Sequence, residues 1–143
     1  PAPATALPKE LLEHVNIITP NRTEASMLSG FEVTDLETAK EAAKRIHQMG
    51  VENVVITMGS LGAVVFTGKE YHLVPAHVVQ TVDSTAAGDV FNGALAVSLS
   101  EGKDLLDAVR FACEAAAVSV TRLGAQSSIP YRNELIARKL IID

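Results

Sequence analysis

Cysteine occurs once in the 143 residues, at Cys113. A single thiol has no partner for an intrachain disulfide and excludes a multi-cysteine zinc site, so a reducing cytoplasm suits the chain best. Basic residues are also short: 12 Lys and Arg stand against 17 Asp and Glu, a formal charge of -5. Binding a nucleic-acid duplex takes clustered cations to neutralise phosphates, so nucleic acid is not an expected partner. No apolar run approaches the roughly 18–20 residues of a membrane span. The opening Pro1-Ala-Pro-Ala-Thr-Ala-Leu-Pro8 lacks the basic flank and continuous apolar stretch of a signal peptide. Two common phosphate-binding motifs are missing as well. There is no Gly-x-Gly-x-x-Gly, and the pairs Gly68-Lys69 and Gly102-Lys103 lack the following Ser or Thr of a P-loop. His14, His47, His72 and His77 show no metal-ligand spacing and read as surface or internally satisfied side chains. A starting Met is absent too, and Pro-Ala-Pro-Ala reads as a connector, so an incomplete protein is expected, with a trimmed intact domain as the alternative.

What is present fits a soluble globular chain: 48% hydrophobic and 20% charged residues, enough for one domain with a sizeable core. Short helices are expected at Leu7–His14 and Asn21–Leu28, with a strand over Val15–Thr19 that stops at Pro20. Leu36–Met49 carries Ala39, Ala42, Ala43, Ile46 and Met49 at helical spacing, and Gly50 closes it. Val54–Met58 reads as a buried strand fed by that helix, and Ala63–Phe66 with Glu70–Val74 as a hairpin. After a strand-like Val78–Val82, two helices are expected, Gly88–Ser100 and Leu105–Thr121, the second with Asp104 as N-cap. The second is small and apolar nearly all round, which implies burial on several sides. Leu123–Pro130 reads as a loop and Asn133–Ile141 as a final helix. The fold class is α/β, a mostly parallel sheet flanked by helices with one hairpin, and no second domain is evident.

The segment Asp83-Ser-Thr-Ala-Ala-Gly-Asp89 joins the strand-like stretch to a helix without bulky side chains. Small residues let a ligand approach the backbone closely. The first amides of a helix lack intrahelical acceptors, and the helix dipole adds about half a positive charge there. Such a turn suits an anion, including the charge developing on a transferring phosphoryl group. Asp89 sits in the same turn, where its carboxylate could take a proton from an attacking hydroxyl. On spacing alone, tight packing and an ordinary acidic first turn explain the same residues.

The longer run Asp83-Ser-Thr-Ala-Ala-Gly-Asp-Val-Phe-Asn-Gly-Ala-Leu95 resembles the signature of the ribokinase-like, pfkB-type carbohydrate kinases, Asp-Thr-x-Ala/Gly-Ala-Gly-Asp-x-Phe-x-Gly. Asn92–Leu95 and Thr121-Arg-Leu-Gly-Ala-Gln126 are similar to ribokinases in particular. Ser84 stands where the family usually has Thr, and both carry a hydroxyl. The resemblance covers essentially the whole chain as the C-terminal half of such a kinase, its nucleotide-binding and catalytic portion. It implies Asp89 as catalytic base in contact with the substrate, and the backbone of Ala86, Ala87 and Gly88 as an anion hole.

The resemblance also implies roles elsewhere. Asn21-Arg-Thr-Glu24 matches a family motif that organises Mg²⁺-bound phosphates of ATP, largely through water, as suits an ion that keeps several waters. Read without the family, Asn21 and Glu24 form a helix capping box, and both roles can coexist. Thr57-Met-Gly59-Ser-Leu-Gly62 resembles a turn that contacts nucleotide phosphates; alone it is a strand-to-hairpin turn. Ala112, Cys113 and Ala116 are implied at the adenine pocket, with helix packing as the plain alternative. A monovalent-cation site, preferably K⁺, is implied at Asp83, the Thr85 carbonyl, carbonyls near Ser119, Arg122 and Gly124, and the Ser128 side chain. Oxygen-only ligation suits a hard cation. Cys113 itself reads as buried and inert.

The activity implied is ATP-dependent phosphorylation of the primary hydroxyl of a sugar, D-ribose foremost, by a cytoplasmic kinase whose full-length parent is a homodimer. The family's N-terminal half supplies most sugar-binding residues and the lid strands, and none is found here. The alternatives are a nucleotide- and cation-binding fragment without catalysis, and a kinase for another sugar or a nucleoside.

Overall fold

The computed structural model describes residue 5 and residues 7–136. The chain divides into two compact units, Pro1–Val74 and Pro75–Asp143, where the sequence pattern alone suggested one domain.

The first unit is a four-stranded sheet with helices packed on it. After a single helical turn, α1 (Lys9–Leu12), come β1 (Ile17–Ile18), α2 (Arg22–Ser29), α3 (Leu36–Gln48) and β2 (Asn53–Thr57). A short 3-10 turn, Gly59–Leu61, leads into the hairpin β3 (Ala63–Phe66) and β4 (Tyr71–Val74). The strands lie in chain order, β1 parallel to β2 and the other two pairings antiparallel. Of the mostly parallel sheet expected for the fold, the described residues therefore show one parallel strand pair. The helix ends follow local chemistry. Asp35 caps α3 by accepting the Thr38 N–H at 2.8 Å while the Thr38 hydroxyl oxygen accepts the Asp35 N–H at 3.0 Å. Gly30 ends α2 in the left-handed conformation, φ 80°. The helical stripe Ala39, Ala42, Ala43 and Ile46 is buried and joins Val54, Ile56, Val64 and Phe66 in one core.

The second unit contains α4 (Ala87–Ser100), α5 (Leu105–Ser119), a 3-10 turn at Gln126–Ser128 and a helix that begins at residues 132–136. The expected helix Asn133–Ile141 runs beyond residue 136, outside the described residues. Asp104 caps α5, accepting the Asp107 N–H at 2.9 Å. Helices α4 and α5 pack on each other, with Val90, Ala115, Val118 and Leu135 at the centre of a small core. Eight residues of α5 are buried, as its small apolar composition implied. Val78–Val82 is not a strand. Val78 is fully exposed, Val82 is 55% exposed, and among the described residues no strand of this unit pairs with the segment. Among the described residues no helix is long and apolar enough to cross a membrane.

Candidate functional site

In the second unit the turn before α4 is the one place where a non-glycine residue takes positive φ among the described residues: Ala86, φ 61° and ψ 8°. An L-residue there brings Cβ close to the carbonyl oxygen, a cost of roughly 1–2 kcal/mol. Ala86 is also the N-cap of α4 and offers no side-chain acceptor to the first helical amides. Its carbonyl accepts the Val90 N–H at 2.9 Å, and the Ala87 N–H turns back to the Ser84 carbonyl at 3.2 Å. The N–H groups of Gly88 and Asp89 have no acceptor among the described residues. Of the amides that the resemblance implies for an anion, those of Ala86 and Gly88 thus have no acceptor among the described residues, and that of Ala87 is engaged by Ser84. Gly88 is exposed, and a Cβ built on it would meet nothing within 4 Å.

Asp89 projects from the first turn of α4 and is exposed. With Ala86 it borders an open groove of about 470 Å³ within this unit, lined mainly by apolar groups of α4 and α5 and by residues 125–135. A carboxylate there can reach a ligand hydroxyl from solvent, while the neighbouring amides can hold an anion.

Asp83 fastens the turn. Its Oδ1 accepts the Thr85 N–H at 2.9 Å and its Oδ2 accepts the Gly124 N–H at 2.9 Å. The Thr85 hydroxyl and these two amides hold its carboxyl below the usual aspartate range. The Val82 and Asp83 N–H groups both donate to the Val120 carbonyl, at 2.7 and 3.1 Å. The residues named for a monovalent cation thus gather around one junction: Asp83 and Thr85 on one side, Arg122 and Gly124 on the other. Ser128 is buried, and its hydroxyl donates to the Ala125 carbonyl at 2.7 Å, which leaves its lone pairs able to accept or ligate. Ser119 fits this oxygen set less well. It is buried, its hydroxyl donates to Ala116, and its carbonyl already accepts the Arg122 N–H at 3.1 Å.

The adenine-lining set narrows in the same way. Ala112 has no exposed surface on which a base could rest, and Cys113 is 8% exposed, its thiol pushed up to about 11 by burial. Ala116 is partly open. The inert reading of Cys113 agrees with these properties.

In the first unit, the capping box at Asn21 is formed in full. Asn21 Oδ1 accepts the Glu24 N–H at 2.9 Å, and Glu24 Oε2 accepts the Asn21 N–H at 2.8 Å. The parallel ladder continues past β1 through a bridge between Asn21 and Thr57, where the Thr57 N–H donates to the Pro20 carbonyl at 3.0 Å. Asn21, Glu24 and the Thr57–Gly62 turn therefore sit together at the carboxyl ends of the two parallel strands, the position where α/β sheets collect ligands. The turn is closed by the Met58 N–H on the Gly62 carbonyl at 2.7 Å, with Gly59 at φ 60° and Gly62 at φ 96°. Among the described residues no group of three or more His, Cys, Asp or Glu is arranged to hold a metal. A divalent ion here would have Glu24 as its carboxylate and take its other ligands from phosphates and water.

Sequence reasoning did not single out Glu134. It pairs with the Arg122 guanidinium and accepts the Tyr131 N–H at 2.6 Å. A Glu three residues after Tyr131 is a readable helix-start signal, but the pairing with Arg122 has no local signature.

The family model described as pfkB family carbohydrate kinase matches residues 1–132. Ribokinase of Haemophilus influenzae is 48% identical over 136 residues, covering 95% of this chain and 44% of the relative. Among solved structures, ribokinase of Thermotoga maritima superposes with a TM-score of 0.87 at 46% identity, over 96% of this chain and 46% of that one. Arabidopsis thaliana ribokinase complexed with ribose and ATP gives a TM-score of 0.87 at 36% identity, over 93% and 43%. The chain thus spans less than half the length of these relatives. It belongs to the pfkB family of carbohydrate kinases and has the ribokinase-like α/β fold.

Proposed function

We propose that this pfkB-family chain is the C-terminal nucleotide-binding and catalytic portion of a kinase that transfers the γ-phosphoryl group of ATP to the primary hydroxyl of a sugar, D-ribose in the first instance. The observation that carries the reading is the Ala86 turn, with the acceptor-free N–H groups of Gly88 and Asp89 beside the exposed Asp89 carboxylate. Asp89 takes the proton of the sugar hydroxyl as its oxygen bonds to the γ-phosphorus. The bond to the bridging oxygen of ADP breaks, and ADP leaves with that electron pair. The amides at the start of α4 face the negative charge on the transferring group, where pre-aimed dipoles are most effective.

The remaining residues orient ATP. Asn21 and the turn at Thr57, Gly59 and Gly62 serve its phosphates, and Ala116, with Ala112 and Cys113 behind it, serves the adenine. Mg²⁺ would be held through Glu24, largely by way of water, and would neutralise phosphate charge. K⁺ would be held by Asp83, the carbonyls of Thr85, Arg122 and Gly124, and the Ser128 hydroxyl, with Ser119 the poorest member. Cytoplasmic location and a homodimeric parent complete the reading.

Coupled detection of ADP with ribose as acceptor tests it. Asp89→Asn is expected to lower kcat by about 10²–10⁴-fold while ATP affinity is largely kept, because proton removal is needed only in the transition state. Full activity in that variant would overturn the assignment of Asp89. Nucleotide binding without any turnover in the unaltered chain would favour a binding module over an enzyme.

A further inference from the structure

The loop that supplies the Arg122 and Gly124 carbonyls and the Ser128 hydroxyl is held at its start by members of the proposed ligand set and at its far end by a charged contact outside that set. At its start, the Gly124 N–H is held by Asp83, and the Arg122 N–H by the Ser119 carbonyl. At its far end, Glu134 meets the Arg122 guanidinium through both carboxylate oxygens, one contact being 3.5 Å. The two side chains are 35% and 34% exposed, so the pair is partly withdrawn from water. Glu134 Oε2 also accepts the Tyr131 N–H at 2.6 Å, which ties the pair to the start of the last described helix. That helix start is anchored in turn: Arg132 pairs with Glu101 at 2.6 Å and lies 5.9 Å from the Phe111 ring centroid. The loop from residue 123 to 130 is therefore bracketed by one ion pair between its flanks.

We infer that Glu134 is a positioning residue: by clasping Arg122 it holds the carbonyl-bearing loop against the Asp83 turn and keeps that junction ready for a monovalent cation. This rests on the cation reading given above. Two physical effects act in the same direction. A bidentate carboxylate–guanidinium pair restricts the loop ends more than a single contact would. It also neutralises a fixed positive charge on the very residue whose carbonyl is assigned to the cation, a charge that would otherwise oppose cation binding.

Amide exchange at Gly124, followed by NMR on the full chain across a KCl series at constant ionic strength, reads both effects. Glu134→Gln keeps an acceptor for the Tyr131 N–H, and Arg122→Gln keeps Glu134 itself, so each removes the pair and spares the cap. Both variants are expected to exchange Gly124 about fivefold faster than the unaltered chain without KCl, while amides inside α5 are unchanged. Glu134→Gln, which leaves the Arg122 charge uncompensated, should also need severalfold more KCl to restore protection; Arg122→Gln, which removes that charge, should need less KCl than Glu134→Gln, and Arg122→Lys with Glu134 intact should recover part of the lost protection. Unchanged Gly124 exchange in both variants would overturn the clasp. Faster exchange in the variants with no response to KCl in the unaltered chain would uphold the clasp as a device that holds the Asp83 junction, and would remove the cation reading instead.

Discussion

Asp83 and Gly124 lie 41 residues apart, and the Gly124 N–H donates to Asp83 Oδ2 at 2.9 Å. With Oδ1 on the Thr85 N–H, one carboxylate joins the turn before α4 to the loop after α5. The Thr85 hydroxyl and these two amides favour the ionised form, which is why the Asp83 carboxyl sits below its ordinary value of 3.8. The sign of the resulting pH dependence is fixed by linkage. A carboxyl depressed on folding adds stability that is complete above its unfolded value and is lost as pH falls through the folded one. Urea denaturation should therefore show Asp83→Asn less stable than the unaltered chain at neutral pH, with the difference closing as pH falls below 3.8. A difference that stays constant through the acid range would mean that the charge on Asp83 is not what holds the junction. Asp35 is depressed by Thr38 and contributes in the same window, so the comparison is between variant and parent and not read from the parent alone.

The two roles available to Asn21 are separable. Asn and Asp cap helices about equally well, whereas Ala loses roughly 1 kcal/mol. Asn21→Asp should thus keep the denaturation midpoint, and Asn21→Ala should lower it. If Asn21 also faces nucleotide phosphates, Asn21→Asp places a carboxylate beside them and raises the KM for ATP severalfold despite the intact cap. An Asn21→Asp variant with unaltered KM would leave Asn21 as a cap alone.

Much of the first unit could be read from the sequence because its signals are local. The stripe from Ala39 to Ile46 and the Asn21–Glu24 capping box each act within a few residues of themselves, and both are found where expected. The unbroken apolar runs at Val54 and Ala63 likewise became β2 and β3. Val78–Val82 has the same strand-like composition and, among the described residues, no partner strand in its unit, which illustrates that strand formation depends on a neighbour more than on propensity. At the candidate site the residue types were legible and their arrangement was not. Nothing about Asp83 announces a bond to a residue 41 positions away, nor about Glu134 a pairing with Arg122. Ala86 is the least legible of all, since alanine is not a residue expected at positive φ.

That conformation gives a stability prediction of its own. Glycine relieves the Cβ contact at φ 61°, although it releases more chain entropy on unfolding. Ala86→Gly should therefore stabilise by roughly 0.5–1 kcal/mol. Ala86→Val should destabilise by about 1–2 kcal/mol, because a β-branched side chain tolerates this region worst. Paired urea titrations decide the matter: a glycine variant weaker than the parent would show that Ala86 is not strained in solution.

Gly88 separates fold from ligand more sharply. It is not at positive φ, and a Cβ on it would meet no protein atom within 4 Å, so the fold has no need of glycine there. In a first helical turn, alanine should even stabilise slightly, by roughly 0.5 kcal/mol, through lower entropy of the unfolded chain. The space that the methyl group enters lies beside the Gly88 and Asp89 amides, where a transferring phosphoryl group is proposed to rest. Displacing that group by about 1 Å costs roughly 10²-fold in rate. Gly88→Ala should therefore melt no lower than the parent and lose about that factor in kcat/KM. A variant both stable and fully active would mean that no ligand approaches the backbone at Gly88. The phosphate would then have to be held elsewhere.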